Sequence, residues 1–285
     1  MSACDSCPSK SGCTSQSTCP SANGGAAKPS APQKEAQNAN SNIKTVIGVA
    51  SGKGGVGKSF VTTMLAIELS RKGYKVGIMD ADITGPSIPQ AFGLKGKMAE
   101  SDETTIYPAL SKHGIKIMSA NLLMPDDESP IIWRGPMIAG FVQQLYTDVT
   151  YGDVDYMFID MPPGTGDVPL TIFQMYPIDG IIIVTTPQDL VSMVVKKSIN
   201  MAKMMYINTL GIVENMAYIK CPKCDEKIRI FGSEESKKEI EKSGIKVLAE
   251  LPIDPLLSQL VDKGEIEEYE TDALNPLLEI FERGK

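Results

Sequence analysis

A doubly wound α/β fold with a mostly parallel sheet is what this chain predicts, on three observations. Short apolar, β-branched runs recur at 43–50, 75–80, 155–160, 180–186 and 209–216, separated by stretches of helical character. Strands alternating with helices pair in parallel, with helices covering both faces of the sheet. The first run breaks into a glycine-rich loop and two others end in aspartate, which sets polar groups at the carboxyl edge where open α/β sheets bind ligands. Finally, 285 residues with 42% hydrophobic side chains suffice for one large α/β core.

The division is expected at the first strand, with 1–41 a disordered, cysteine-rich tail and 42–285 a single domain. The tail is dominated by Ser, Ala, Asn, Gly and Pro and has almost nothing large and apolar to bury. Its Cys4, Cys7, Cys13 and Cys19 follow C-x2-C-x5-C-x5-C. Four thiolates are the ligand count of a structural zinc or an iron-sulfur cluster, and a reactive, unliganded tail is the alternative. A net charge of −7 disfavours nucleic acid and an anionic membrane surface as partners. No run reaches about eighteen apolar residues, and the first forty lack a signal-peptide core. The chain is therefore expected in the cytoplasm, where its six cysteines are metal ligands or redox groups rather than disulfides.

In chain order, strand 43–50 leads into GKGGVGKS. Gly52, Gly57, Lys58 and Ser59 satisfy G-x-x-x-x-G-K-[ST], in which backbone N–H groups converge on phosphate oxygens, the lysine reaches the outer phosphates and the hydroxyl ligates Mg²⁺. The nucleotide cradle is thus expected to run through Gly52, Lys53, Gly54, Gly55, Val56, Gly57, Lys58, Ser59 and Phe60. The helix from Ser59 to Arg71 points its N-terminal partial charge at the same place. Strand 75–80 delivers Asp80 and Asp82 to the carboxyl edge. A short strand at 115–118 and a helix opened by IIWRGPM follow; His113, the only histidine, reads as a hairpin surface residue. Strand 155–160 ends in Asp160, whose position at a strand tip beside the phosphate loop suits holding magnesium-bound water. Pro162 to Gly166 and Asp167 form a loop in which Gly164 permits rearrangement when phosphate leaves. The methionines of the helix at 188–205 read as core filler. Strand 209–216 precedes Cys221, Pro222, Lys223 and Cys224. A surface helix at 233–242, a last strand at 247–251 and an amphipathic, acidic end complete the chain.

GKGGVGKS, with its additional Lys53, resembles the deviant Walker A motif of the family that holds the nitrogenase iron protein, the MinD and ParA partitioning ATPases and the Mrp/ApbC iron-sulfur carriers. That resemblance implies a P-loop ATPase working as a homodimer with ATP at its interface, Lys53 reaching the partner's nucleotide. DADITGPS is similar to the family's switch I, which makes Asp82 the group that orients the attacking water and Asp80 a support of the magnesium shell. By the same likeness Asn215 recognises adenine, Pro252 and Asp254 lie along it, and Trp133 and Arg134 lie near the nucleotide interface. Cys4, Cys7 and Cys13 resemble the end of the N-terminal cysteine motif of eukaryotic relatives, although Cys19 lies downstream where those carry a cysteine upstream.

Two thiolates at CPKC cannot close a tetrahedral site or hold a cubane, which take about four ligands. Two-fold symmetry supplies the rest from the same loop of a second subunit. The Mrp/ApbC likeness implies a bridging 4Fe-4S cluster held by Cys221 and Cys224 and passed to apo iron-sulfur proteins. A zinc completed from the tail and a thioredoxin-like dithiol remain alternatives for the pair. For the whole chain the alternatives are a MinD-like or ParA-like positioning ATPase and a zinc-stabilised nucleotide switch.

Overall fold

The computed structural model describes residues 34–82, 87–102, 105–123, 135–188, 193–231 and 244–283. The tail cysteines, Trp133, Arg134 and the helix expected at 233–242 lie outside them. From Lys34 onward the chain forms one unit. Its parallel strands are β1 (Asn42–Ser51), β2 (Val76–Asp80), β4 (Lys116–Ser119), β5 (Asp153–Asp160), β6 (Gly180–Thr185), β7 (Thr209–Lys220) and β9 (Val247–Ile253), while the short β3 (Ala109–Leu110) and β8 (Lys227–Ile228) are antiparallel. The order is β3-β4-β2-β5-β1-β6-β7-β8, with β9 also paired to β7. Every residue of β2 and β6 and the last six of β1 are buried, so both faces of the central sheet are covered, as parallel sheets require.

The helices are α1 (Lys58–Arg71), α2 (Ser87–Ala91), α3 (Gly135–Thr147), α4 (Asp167–Met175), α5 (Met193–Met204), α6 (Pro255–Lys263) and α7 (Asn275–Arg283). α1 is buried around most of its circumference, with Val61, Met64, Leu65, Ile67 and Leu69 fully inside, so it packs as a core element rather than an amphipathic cover. Burying each such side chain stabilises by about 1.5–3 kcal/mol, and Leu65→Ala would cost about 2–5 kcal/mol. The acidic end of the chain does pack on the domain. Leu274, Leu277, Leu278 and Phe281 are buried, and Tyr156 donates its hydroxyl hydrogen to the Phe281 carbonyl at 2.8 Å.

Three details depart from the pattern in the sequence. Met204 is 78% exposed and so is not core filler; α5 ends there and the chain turns out at Tyr206 (φ 58°). Residues 34–41 are tied to the domain by polar groups: Glu35 N–H donates to Met175 O at 2.7 Å, Asn38 Nδ2 to Thr147 O at 3.0 Å, and Ile43 N–H to Gln37 Oε1 at 2.8 Å. β7 runs to Lys220 instead of stopping near Met216, and it carries a bulge. Glu214 pairs with Glu250 and Tyr218 with Pro252, so Asn215, Met216 and Ala217 face the single residue Leu251. Met216 sits at φ 56°, the left-handed conformation that such an insertion imposes on a strand.

Candidate functional site

β1 ends at Ser51 and the chain winds through Gly55 (φ 78°) and Gly57 (φ 83°) before α1 starts at Lys58. Gly57 is doubly constrained: its φ suits only glycine, and a Cβ there would meet Asn215 Nδ2 at 2.1 Å. Asn215 reaches that point because of the β7 bulge, and its Nδ2 donates to Val56 O at 3.0 Å. The Asn215 amide therefore braces the loop. Lys53 and Gly54 stand exposed at the loop's tip, Val56 is buried, and Phe60 is half-buried with its ring edge-on to Tyr269 at 6.4 Å. The Ser51 hydroxyl donates to Lys53 O at 3.0 Å.

Lys58 is only 6% exposed, and its Nζ lies 2.7 Å from Asp160 Oδ2 and 3.4 Å from Asp82 Oδ2. Ser59 Oγ donates to the same Asp160 oxygen at 2.6 Å. Asp80 and Asp160 are register partners on the adjacent strands β2 and β5. Asp80 accepts from Ser119 Oγ at 3.1 Å and from the Asp82 N–H at 3.1 Å. Burial raises the Asp80 pKa well above the ordinary carboxylate value, the charge of Asp160 raises it further, and Lys58 opposes both. Three carboxylates thus gather around one buried ammonium, with a serine hydroxyl among them. The Asp160 carboxylate and the Ser59 hydroxyl are hard oxygen donors, the kind that Mg²⁺ takes beside phosphate while keeping several waters. Gly164, at φ 89°, donates its N–H to Ser51 O at 2.8 Å and so links the 162–166 loop to the end of β1.

The predicted residues of the P-loop, Asp80, Asp82, Asp160, Gly164 and Asn215 therefore come together at the carboxyl edge of β1, β2, β5 and β7. Pro252 and Asp254 border a cavity of about 720 Å³ lined also by Tyr218, Lys220, Lys227 and Tyr269, whose ring meets Phe60 of the loop. Asp254 caps α6, accepting from Leu256 N–H at 2.9 Å and from the Tyr269 hydroxyl at 3.0 Å. His113 is a surface residue of the β3–β4 turn, 3.6 Å from Glu267. The sequence reading missed Thr62, which bonds Asp160, and Ser119, which bonds Asp80. The signal for Thr62 was its place one helical turn after Lys58, on the same face of α1.

The cysteine pair forms the tip of a β-hairpin. Beyond the bulge β7 continues to Lys220 and returns as β8, pairing Ile219 with Ile228 and Lys220 with Lys227. The turn is closed by Cys221 N–H donating to Glu226 O and Asp225 N–H to Cys221 O, both at 2.9 Å. The backbone N–H of Lys223, the Cys224 thiol and the Cys224 N–H all donate to the Cys221 sulfur, which holds that thiol below its ordinary pKa. Lys220 pairs with Asp225 at 3.1 Å, and Lys227 lies 4.5 Å over the Tyr218 ring. Among the described residues no three His, Cys, Asp or Glu side chains are grouped to hold a metal, so the hairpin's two thiols are half a donor set.

The chain is 45% identical to an iron-sulfur cluster carrier protein of Clostridium perfringens, over 100% of this chain and 99% of that one. It is also 45% identical to one of Methanocaldococcus jannaschii, over 92% and 87%. Among solved structures, a nucleotide-binding protein from Archaeoglobus fulgidus in complex with ADP matches with TM-score 0.72 at 45% identity, covering 81% of this chain and 91% of that one. The cell-division ATPase MinD of Pyrococcus furiosus matches with TM-score 0.60 at 21% identity, covering 85% and 99%, and so shares the fold. With residues 42–283 matched by the family model of the NUBPL iron-transfer P-loop NTPases, within ParA, the chain belongs to that family.

Proposed function

We propose that this chain is an ATP-dependent iron-sulfur cluster carrier. It acts as a cytoplasmic homodimer that hydrolyses ATP with Mg²⁺, holds a 4Fe-4S cluster between the Cys221–Cys224 hairpins of two copies and passes it to apo iron-sulfur proteins. The observation that carries this reading is that one strand serves both sites: β7 sets Asn215 against the P-loop and ends at Lys220, the residue before Cys221. A change in the loop when phosphate enters or leaves therefore acts on the base of the dithiol hairpin, which supports coupling of nucleotide state to cluster holding and release. The relatives' name, iron-sulfur cluster carrier, agrees with this.

In this reading the backbone N–H groups of Gly54 to Ser59 and the Lys58 ammonium hold the phosphates. Ser59 and Asp160 would hold Mg²⁺, with Asp80 in support; when bound, the ion neutralises charge developing on the phosphates. Asp82 orients the attacking water, and Lys53, exposed at the tip of the loop, reaches the partner's nucleotide. Asn215, Pro252 and Asp254 serve the base. Residues 42–285 form the ATPase domain, and Cys4, Cys7, Cys13 and Cys19 in the tail are a second metal site. No helix among the described residues is long and apolar enough to cross a membrane.

Anaerobic loading with iron and sulfide tests the proposal. The wild-type chain should take up one bridging cluster per dimer, beyond any metal held by the tail, and deliver it to an apo-ferredoxin. Cys221→Ala and Cys224→Ala should lose that cluster and its transfer while binding ATP normally. Transfer intact in either variant, or zinc alone in the purified protein, overturns the assignment.

A further inference from the structure

The carboxylate of Asp160 is tied at both oxygens, and the two ties differ in kind. Oδ2 receives Ser59 Oγ at 2.6 Å and Lys58 Nζ at 2.7 Å, the groups that phosphate and a divalent cation claim when nucleotide enters. Oδ1 instead receives the hydroxyl of Thr62 at 2.9 Å, from the body of α1. Thr62 is fully buried, and the alternative acceptor for its single hydrogen is Lys58 O at 3.1 Å. A carboxylate against that backbone carbonyl is the stronger acceptor, so the hydrogen goes to Asp160. The last torsion of an aspartate is broad, so β5 by itself does not fix the plane in which the carboxylate meets the phosphates. A buried hydroxyl holding one oxygen fixes that plane.

We propose that Thr62 is the positioning residue of the magnesium site: by holding Oδ1 of Asp160 it presents Oδ2 to the cation. This rests on the nucleotide reading above and adds to it a residue outside the G-x-x-x-x-G-K-S signature. Thr62 touches neither nucleotide nor metal. Its removal should therefore weaken the cation and leave the phosphate loop intact. Outer-shell partners of metal ligands typically set about 10–100-fold in metal affinity.

The test is a magnesium titration of the full chain with a fluorescent ATP analogue, read by binding and not by turnover. Thr62→Val should raise the half-saturating Mg²⁺ concentration at least about ten-fold and leave affinity for the analogue in EDTA within about two-fold, and Thr62→Ser should restore the wild-type value. A valine variant with wild-type magnesium dependence overturns the assignment, even where its melting temperature or turnover falls, because a packing role alone predicts that pattern. Should the valine variant fail to fold, Thr62→Cys stands in for it; a shift in Cys but not in Ser supports the proposal, and equal behaviour overturns it. A wild-type chain whose analogue affinity ignores Mg²⁺ removes the nucleotide reading itself, a failure visible before any variant is made.

Discussion

The phosphate loop and the cysteine hairpin share a strand and are built in contrary ways. At the loop, Lys58 and Asp160 are sealed inside the protein, each charge met by another, and the neighbouring Thr62, Ser59 and Asn215 fix the positions of donor and acceptor. At the hairpin Cys224 is exposed and Cys221 half-buried, and what shapes the turn is its own backbone. The cluster around Lys58 and Asp160 draws all its partners from one chain. The hairpin presents two sulfurs with room for a partner, which suits cargo that has to leave. A pocket that must tell one nucleotide state from another gains from rigidity. A site that hands its contents to another protein gains from being open.

The contrast predicts a ranking of stability costs. The largest belongs to Lys58→Ala, which leaves Asp160 buried and without its cation; chemical denaturation of the nucleotide-free protein should show a loss of about 3–5 kcal/mol. Next comes Gly57→Ala, which combines a positive φ with a clash against Asn215, for about 1–3 kcal/mol. Adding Asn215→Ala to it should recover part of that loss, and a fully additive double-mutant cycle would show that the clash contributes nothing.

A smaller effect comes from the buried pair of carboxylates and depends on pH. Because Asp80 has a raised pKa in the folded state, its contribution favours folding below the unfolded carboxylate value and is lost as pH rises through the folded one. Asp80→Asn should therefore stabilise the nucleotide-free protein increasingly as pH rises above the ordinary carboxylate range, read as a melting-temperature difference that grows with pH. A constant difference would mean that Asp80 keeps its charge. Last, Cys224→Ser at the exposed tip should move stability by no more than about 0.5 kcal/mol while abolishing uptake of the bridging cluster, the sharpest expression of the contrast.

The loop was legible in the sequence because its chemistry is local. Glycines, lysine and serine at fixed spacing carry their meaning within eight residues of GKGGVGKS, and apolar runs ending in Asp80 and Asp160 mark strand tips without knowledge of neighbours. What escaped depends on proximity across strands. Thr62 acquires its role only once β5 is packed beside α1, and Ser119 only once β4 lies beside β2. The anchoring of 34–41 rests on amide and carboxylate side chains, which leave no apolar pattern to detect. The extension of β7 to Lys220 was hidden for another reason. Met216 interrupts the alternation of the strand with a left-handed residue, and the apolar run looks finished there. Pro252 and Asp254 line up with the nucleotide only by family likeness, and in the folded chain Asp254 is occupied in starting a helix.

The interruption at Met216 has a mechanical meaning. Where three residues stand opposite one, the strand bends, and the direction of the segment beyond is set there. Asn215 sits at the bend and Cys221 at the far end of a short arm, so under the proposed coupling a small tilt at the bend becomes a larger sweep of the sulfurs. Straightening that bend, by deleting both surplus residues Met216 and Ala217, would leave Asn215 and the cysteines chemically whole and, under the proposed coupling, disconnect them.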